Sequence, residues 1–496
     1  MPFVSRRGFL AAGAAMAAAF QFNSRAFAQG ETALGLSATT RSLDINGRAA
    51  TVFGLTGPQG SGLVLNPGER FRVDLSNDLP VPTMIHWHGQ IPPNAQDGVP
   101  DAPMAALSPG EKRSYDFAPQ PGTHWMHSHI PIQEMQLLAA PLIVRRPEDV
   151  RADRQEVVIL LHDFSFKSPE EVMAEITGGH GVSHGGGHAE GHGGAAPAPM
   201  QGMDHSSMGH GTMADMQHGG MSGMEMDLND YDWDAYLAND RTLADPEIIQ
   251  VERGGRVRLR IINGAAATVF WIDTGTVAGR LVAVDGHEIR PRAGTSFGVA
   301  MGQRLDIELD LPGENAAWPI LALREGARER TGIVLAAPGA SISRIAGTGE
   351  TEAAAFDVDL AQEGQLLARD ALPSRSVDRS HMVMLGGSMQ PYRWTIDGAV
   401  WGDHRLIGAR SGERVELMFH NMSMMGHPMH LHGHSFQVVE VNGRRMAGAR
   451  RDTVYVPPMS MVTVAVDAGE AANWMLHCHH MPHLATGMMT AFSIQA

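Results

Sequence analysis

Gly412-Glu413-Arg414-Val415-Glu416-Leu417-Met418-Phe419 alternates polar and apolar side chains behind a turn glycine, the pattern of a half-buried β-strand. Gly68-Glu69-Arg70-Phe71-Arg72-Val73-Asp74-Leu75 and Gly255-Arg256-Val257-Arg258-Leu259-Arg260-Ile261 repeat it. Each stretch is followed by an asparagine: Asn421, Asn77 or Asn263. The three copies lie roughly 160–190 residues apart, the spacing of a repeated domain. Long amphipathic helical patterns are scarce. The chain therefore reads as all-β, with three antiparallel β-sandwich domains over about 31–147, 152–345 and 350–496. The length, 496 residues, agrees with about three domains.

Hydrophobic residues are 43% and charged residues 19% of the chain, as in folded globular proteins. A net charge of −16 disfavours a nucleic-acid partner. Ser5-Arg6-Arg7-Gly8-Phe9-Leu10 opens a basic region, followed by an apolar run to Phe20 and a small-x-small site at Ala26-Phe27-Ala28. Residues 1–28 read as a twin-arginine signal peptide, removed on export to the periplasm. Its apolar run is too short to span a bilayer, and no other stretch is long enough. Residues 178–226 hold 7 His, 8 Met and 15 Gly with no Lys, Arg or aromatic residue. Such a segment cannot bury a core, and it is expected to be a mobile insert in the second domain.

The 25 histidines and 31 methionines point to metal chemistry. Four segments share a His-x-His pattern: His86-Trp87-His88, His127-Ser128-His129, His430-Leu431-His432 and His477-Cys478-His479. In a strand, residues i and i+2 share a face, so each segment can present two imidazoles. Eight donors suit a cluster of two or three metals. Cys478, the sole cysteine, points to the face opposite its flanking histidines. With His483 and Met488 downstream it supplies a thiolate, an imidazole and a thioether, most of a blue-copper site, and His427 can supply the second imidazole. One peptide segment would then touch two metal sites.

These motifs, together with His124-Trp125-Met126 and His432-Gly433-His434, resemble the multicopper oxidases along essentially the whole mature chain. The resemblance implies three cupredoxin-like Greek-key sandwiches and four copper ions. His427, Cys478, His483 and axial Met488 would bind type 1 copper, and His86 and His430 type 2 copper. His88, His127, His129, His432, His477 and His479 would bind the type 3 pair. Asp97 matches an acidic position near the type 2 water channel and would serve proton delivery, as an alternative to a plain turn residue before Gly98. Leu484 stands where some members carry an acidic residue, which makes His480 a candidate substitute in proton transfer. His124, His434 and His480 are expected to support or pack against the ligands. His162, His287, His381, His404 and His420 read as structural or surface residues.

Thioethers favour Cu(I). Met422, Met424 and Met425 precede His427, and Met424-Met425-Gly426-His427 resembles the substrate position of periplasmic cuprous oxidases, with Ser423 in place of their aspartate. The sequence-based expectation is a monomeric periplasmic oxidase that takes electrons from Cu(I) and passes them to O2, with the insert delivering Cu(I). A laccase acting on phenols or aromatic amines is the nearest alternative. A copper-sequestering protein without turnover is an alternative of another class.

Overall fold

A computed structural model describes residues 32–100, 103–130, 132–178 and 228–496. Residues 1–28, expected from sequence to be a signal peptide, and, from residue 179 on, the Met- and His-rich segment lie outside them. The described chain is mainly strand, in three sandwiches of two sheets each. Their strands fall within 34–144, 155–336 and 379–495.

The three repeated stretches occupy one topological position. Phe71–Asn77, Arg256–Asn263 and Arg414–Asn421 are strands. Each runs parallel to the first strand of its sandwich: Leu34–Ile45, Gln155–Phe164 or Arg379–Met389. Each also pairs antiparallel with a later strand: Lys112–Phe117, Arg304–Asp310 or Met461–Asp467.

The terminal asparagines explain their own recurrence. Asn77 Nδ2 donates to Val81 O and Leu107 O, both at 2.9 Å, while its Oδ1 accepts from Leu79 N at 3.1 Å. Asn263 donates to Thr268 O and Val299 O and accepts from Ala265 N. Asn421 donates to Met425 O and Val456 O and accepts from Ser423 N. All three are buried. Each side chain satisfies backbone groups where the strand turns away, groups that burial would otherwise leave unpaired.

The half-buried expectation holds for Phe71–Asn77 and fails in the other two strands. Arg414–Asn421 has no exposed residue, its Arg414 and Glu416 being buried. Arg256–Asn263 is buried on both faces after its first residue. Its outer face carries Arg258 and Arg260, and it meets the first sandwich instead of water. Arg260 Nη1 donates to Thr123 Oγ1 at 3.0 Å and to Asp306 Oδ2 at 3.1 Å. Arg258 Nη1 pairs with Asp149 Oδ1 at 2.6 Å. Buried guanidiniums persist because carboxylates meet them.

The second sheets of the first and third sandwiches carry the histidine motifs. One contains Ile85–His88 and Gly122–Ser128; the other contains His427–Leu431 and Asn473–Cys478. Cross-strand register puts His86 opposite His127, His430 opposite His477, and Met429 opposite Cys478. His129, His432 and His479 lie just past the ends of their strands. Among the described residues no helix is long and apolar enough to cross a membrane.

Candidate metal centre

The histidines converge in four groups. His88, His127 and His479 bring ring nitrogens within 4.8 Å of one another. Their buried His88 Nδ1, His127 Nε2 and His479 Nε2 have no hydrogen-bond partner. In a second group, His129 Nε2 lies 3.2 Å from His432 Nε2 and 3.4 Å from His477 Nε2, and the last two are 3.0 Å apart. A third pairs His86 Nε2 with His430 Nε2 at 3.4 Å. In the fourth, Cys478 Sγ lies 3.7 Å from His427 Nδ1 and 3.6 Å from His483 Nδ1. The short helix Met481–Ala485 presents His483 there. Met488 is fully buried and tied to this group by its backbone: Cys478 N donates to Met488 O, and Met488 N donates to His483 O.

The outer nitrogens show what the inner ones must be. His127 Nδ1 lies 2.6 Å from Glu134 Oε1. His88 Nε2 lies 3.0 Å from Asp452 Oδ1. His432 Nδ1 lies 2.8 Å from Asp97 Oδ2. His86 Nδ1 and His430 Nδ1 face the carbonyls of Asp97 and Asp452 at 2.7 and 2.9 Å. His427 Nε2 lies 2.8 Å from Ser423 Oγ. An acceptor outside holds the proton on the outer nitrogen and turns a lone pair inward, as in metal-bound histidine. Lone pairs facing one another at 3.0–3.4 Å repel unless a cation lies between them.

Electrostatics agree. Burial and neighbouring imidazoles hold His86, His432, His477 and His479 well below the ordinary histidine range. They hold His129 down to about 3. The rings are therefore neutral at pH 7 and free to ligate. Burial pushes the Cys478 thiol up, so a thiolate here requires a cation in contact with it. Burial raises Asp97 to about 8. Asp452 would also rise on burial, but the Arg304 guanidinium outweighs this and holds it well below the usual carboxylate range. The donor set fits copper: imidazoles throughout, with one thiolate and one buried thioether at a single group.

Multicopper oxidase family profiles match residues 43–149, 205–337 and 376–496. Multicopper oxidase MmcO of Mycobacterium tuberculosis is 30% identical, covering 98% of this chain and 96% of its own. The chain belongs to the multicopper oxidase family. Copper resistance protein A of Escherichia coli is 25% identical over 94% of this chain and 91% of its own. The fold matches a laccase from Botrytis aclada at a TM-score of 0.69, with 20% identity, covering 92% of this chain and 87% of that one. It matches a multicopper oxidase from Pseudomonas thermotolerans at 0.65, with 21% identity, covering 93% and 98%. Like other multicopper oxidases, this protein is a copper-dependent oxidoreductase with O2 as acceptor.

The remaining sequence-selected residues separate by position. His434 is bonded at both nitrogens, Nδ1 donating to His432 O and Nε2 accepting from Gly469 N, each at 3.0 Å. His480 stacks on His483 with ring centroids 3.9 Å apart. His124 is buried, with neither ring nitrogen hydrogen-bonded. His381 bonds Gly408 O, and His404 stacks on Trp401, away from the four groups. Met425 is buried and Met424 half-buried, while Met422 is 56% exposed. Leu484 is buried in its helix. Sequence reasoning missed Glu134, Asp452 and Asp230. Asp230 Oδ2 lies 3.6 Å from both His480 Nε2 and His483 Nε2 and accepts from Tyr392 Oη. None of the three sits in a motif that marks it.

Proposed function

We propose that the chain is a periplasmic cuprous oxidase in copper tolerance, with four coppers divided one, one and two. His427, Cys478, His483 and Met488 would hold type 1 copper; His86 and His430 would hold type 2. His88, His127 and His479 would hold one type 3 copper, and His129, His432 and His477 the other. Bound there, copper would supply one-electron transfer at the cysteine group and four-electron reduction of O2 to water at the cluster of three. The observation that carries this reading is the inward lone pairs of four buried groups, with Cys478 in one group and its two neighbours in two others.

The protein's own residues set the conditions for that chemistry. His477-Cys478-His479 is the shortest covalent connection between the cysteine group and the cluster. Asp97 Oδ2 fixes the His432 tautomer. Asp97 Oδ1 has no hydrogen-bond partner and lies 3.5 Å from His86 Nδ1. A carboxyl raised to about 8 there can hold a proton at Oδ1 for the reduction of O2. Glu134 and Asp452 keep His127 and His88 oriented.

Cu(I) is favoured as donor by Met425 next to the His427 segment and by the copper resistance names of relatives. The insert rejoins the described chain at Leu228; in this reading it captures Cu(I) and delivers it. Oxygen uptake by the copper-loaded protein tests the donor. Fast uptake with Cu(I) supports the reading, uptake with phenols alone makes the protein a laccase, and none makes it a sequestering protein. Deleting 178–226 should lower Cu(I) oxidation more than phenol oxidation.

A further inference from the structure

The first sheet of the third sandwich places Arg379–Met389, Arg414–Asn421 and Met461–Asp467 side by side. Val383, Leu385, Phe419 and Val462 are buried in the core, so the alternate residues face away from it. Those alternates include Met382 and Met384, Met418 and His420, and Met461. Register lines them up across the three strands. Met384 lies opposite His420, and His420 opposite Met461. Met382 lies opposite Met418 in the next row. Met382 is 46% exposed, and the other four are half-buried.

The same positions of the first sandwich are filled quite differently. Aligned through Asn77 and Asn421, they are Gly35, Ser37, Asp74, Ser76 and Lys112. These are small or polar, as the water side of a sheet usually is. Methionine is not among the residues that strands favour. Among the described residues, the His420 ring has no hydrogen bond, ion pair or ring contact to explain its place.

We propose that Met384, His420 and Met461 bind one Cu(I) on this outer face, with Met418, next on the His420 strand, as a fourth donor. This deepens the cuprous-oxidase reading: the site captures the cation before oxidation, a role that rests on that reading. Neighbouring strands are about 4.8 Å apart, so two flexible thioethers can close from either side on an ion held by the ring. Thioethers and imidazole together select a soft cation over the hard ones that carboxylates hold. The net charge of −16 draws cations to the surface.

The site stands apart from the four histidine groups. The strands His427–Leu431 and Asn473–Cys478 belong to the other sheet of the sandwich. Yet the chain links the two places. Past His420 it runs through Met422, 56% exposed, and half-buried Met424 to His427. Sequence reading placed His420 among structural or surface residues, because its thioether neighbours come from other strands.

The test uses full-length, copper-loaded protein labelled with 13C at the methionine methyl groups, each resonance assigned by its Leu variant. Ag(I), a soft monovalent ion that is not oxidised, is titrated in. Met104, 39% exposed on the first sandwich, is the control. The expected result is that the Met384 and Met461 methyls shift together while Met104 stays, and that His420→Asn abolishes the shift. Copper content and the blue thiolate-to-copper absorption verify each variant. Met384 and Met461 methyls unmoved at saturating Ag(I), or moved equally in His420→Asn, would overturn the site and leave the cuprous-oxidase reading intact. For the role, kcat/KM of a Met384→Leu/Met461→Leu variant should fall with Cu(I) and not with a phenol; equal values for variant and wild type with Cu(I) would overturn capture. A wild type that consumes no O2 with Cu(I) would overturn the cuprous reading and the capture role, while the Ag(I) shifts still decide the site.

Discussion

Replacing Glu134 probes whether an outer carboxylate holds a cluster histidine ready for metal. Glu134 Oε1 lies 2.6 Å from His127 Nδ1, and both side chains are at most 5% exposed. A hydrogen bond to a charged group contributes about 1.5–3 kcal/mol, roughly twice a neutral one. Glu134→Gln keeps an oxygen acceptor and loses the charge, a cost of about 1 kcal/mol. Glu134→Leu removes the charged acceptor and leaves His127 Nδ1–H with the Ser128 carbonyl alone, at 3.0 Å. The proton is then held less firmly on Nδ1 against Nε2, the nitrogen that faces His88 and His479. Loss of the charged partner should cost about 1.5–2 kcal/mol, or roughly 10- to 30-fold in copper affinity. Copper-loaded protein equilibrated with graded chelator, with copper counted by mass spectrometry, measures it. The blue absorption of the Cys478 group is the internal control, because Glu134 touches none of that group's residues. A Leu variant that keeps all its copper at the wild-type chelator concentration would refute the argument that the Glu134 contact sets the tautomer.

Burial raises Glu325 from the ordinary 4.5 to about 8. A carboxyl whose folded value lies above its unfolded value contributes stability fully below about pH 4.5, and this is lost as pH rises toward 8. Copper-free protein should therefore lose about 3 kcal/mol from this group between pH 4 and pH 7, and Glu325→Gln should remove that slope in urea titrations. Gly98 has φ +83°, and a Cβ there would come within 1.9 Å of Ile85 O. Gly98→Ala should cost on the order of 3 kcal/mol and loosen Asp97 from His432, checked by the urea midpoint and copper retention.

The period of the β-strand made much of this protein readable. Alternation behind glycine located Phe71–Asn77 and Arg414–Asn421, and the asparagine after each proved to be a repeated structural device. The same period paired His86 with His88 and set Cys478 apart from His477 and His479. Arg258 and Arg260 show where that reasoning stops: alternation says which residues share a face, but not that a neighbouring sandwich covers the polar one. Glu134, Asp452 and Asp230 were not legible for a related reason. A lone carboxylate gains meaning only when the fold sets it against a ring nitrogen, and Asp452 meets His88 across 364 positions of chain.

The division of the histidines between residues 86–129 and 427–483 imposes an order of events during synthesis. A ribosome that has finished the first sandwich has made four of the ten imidazoles proposed as ligands, and no complete set of three. Metal capture must wait for the last strands, so a stable metal load reports that the polypeptide is finished and docked.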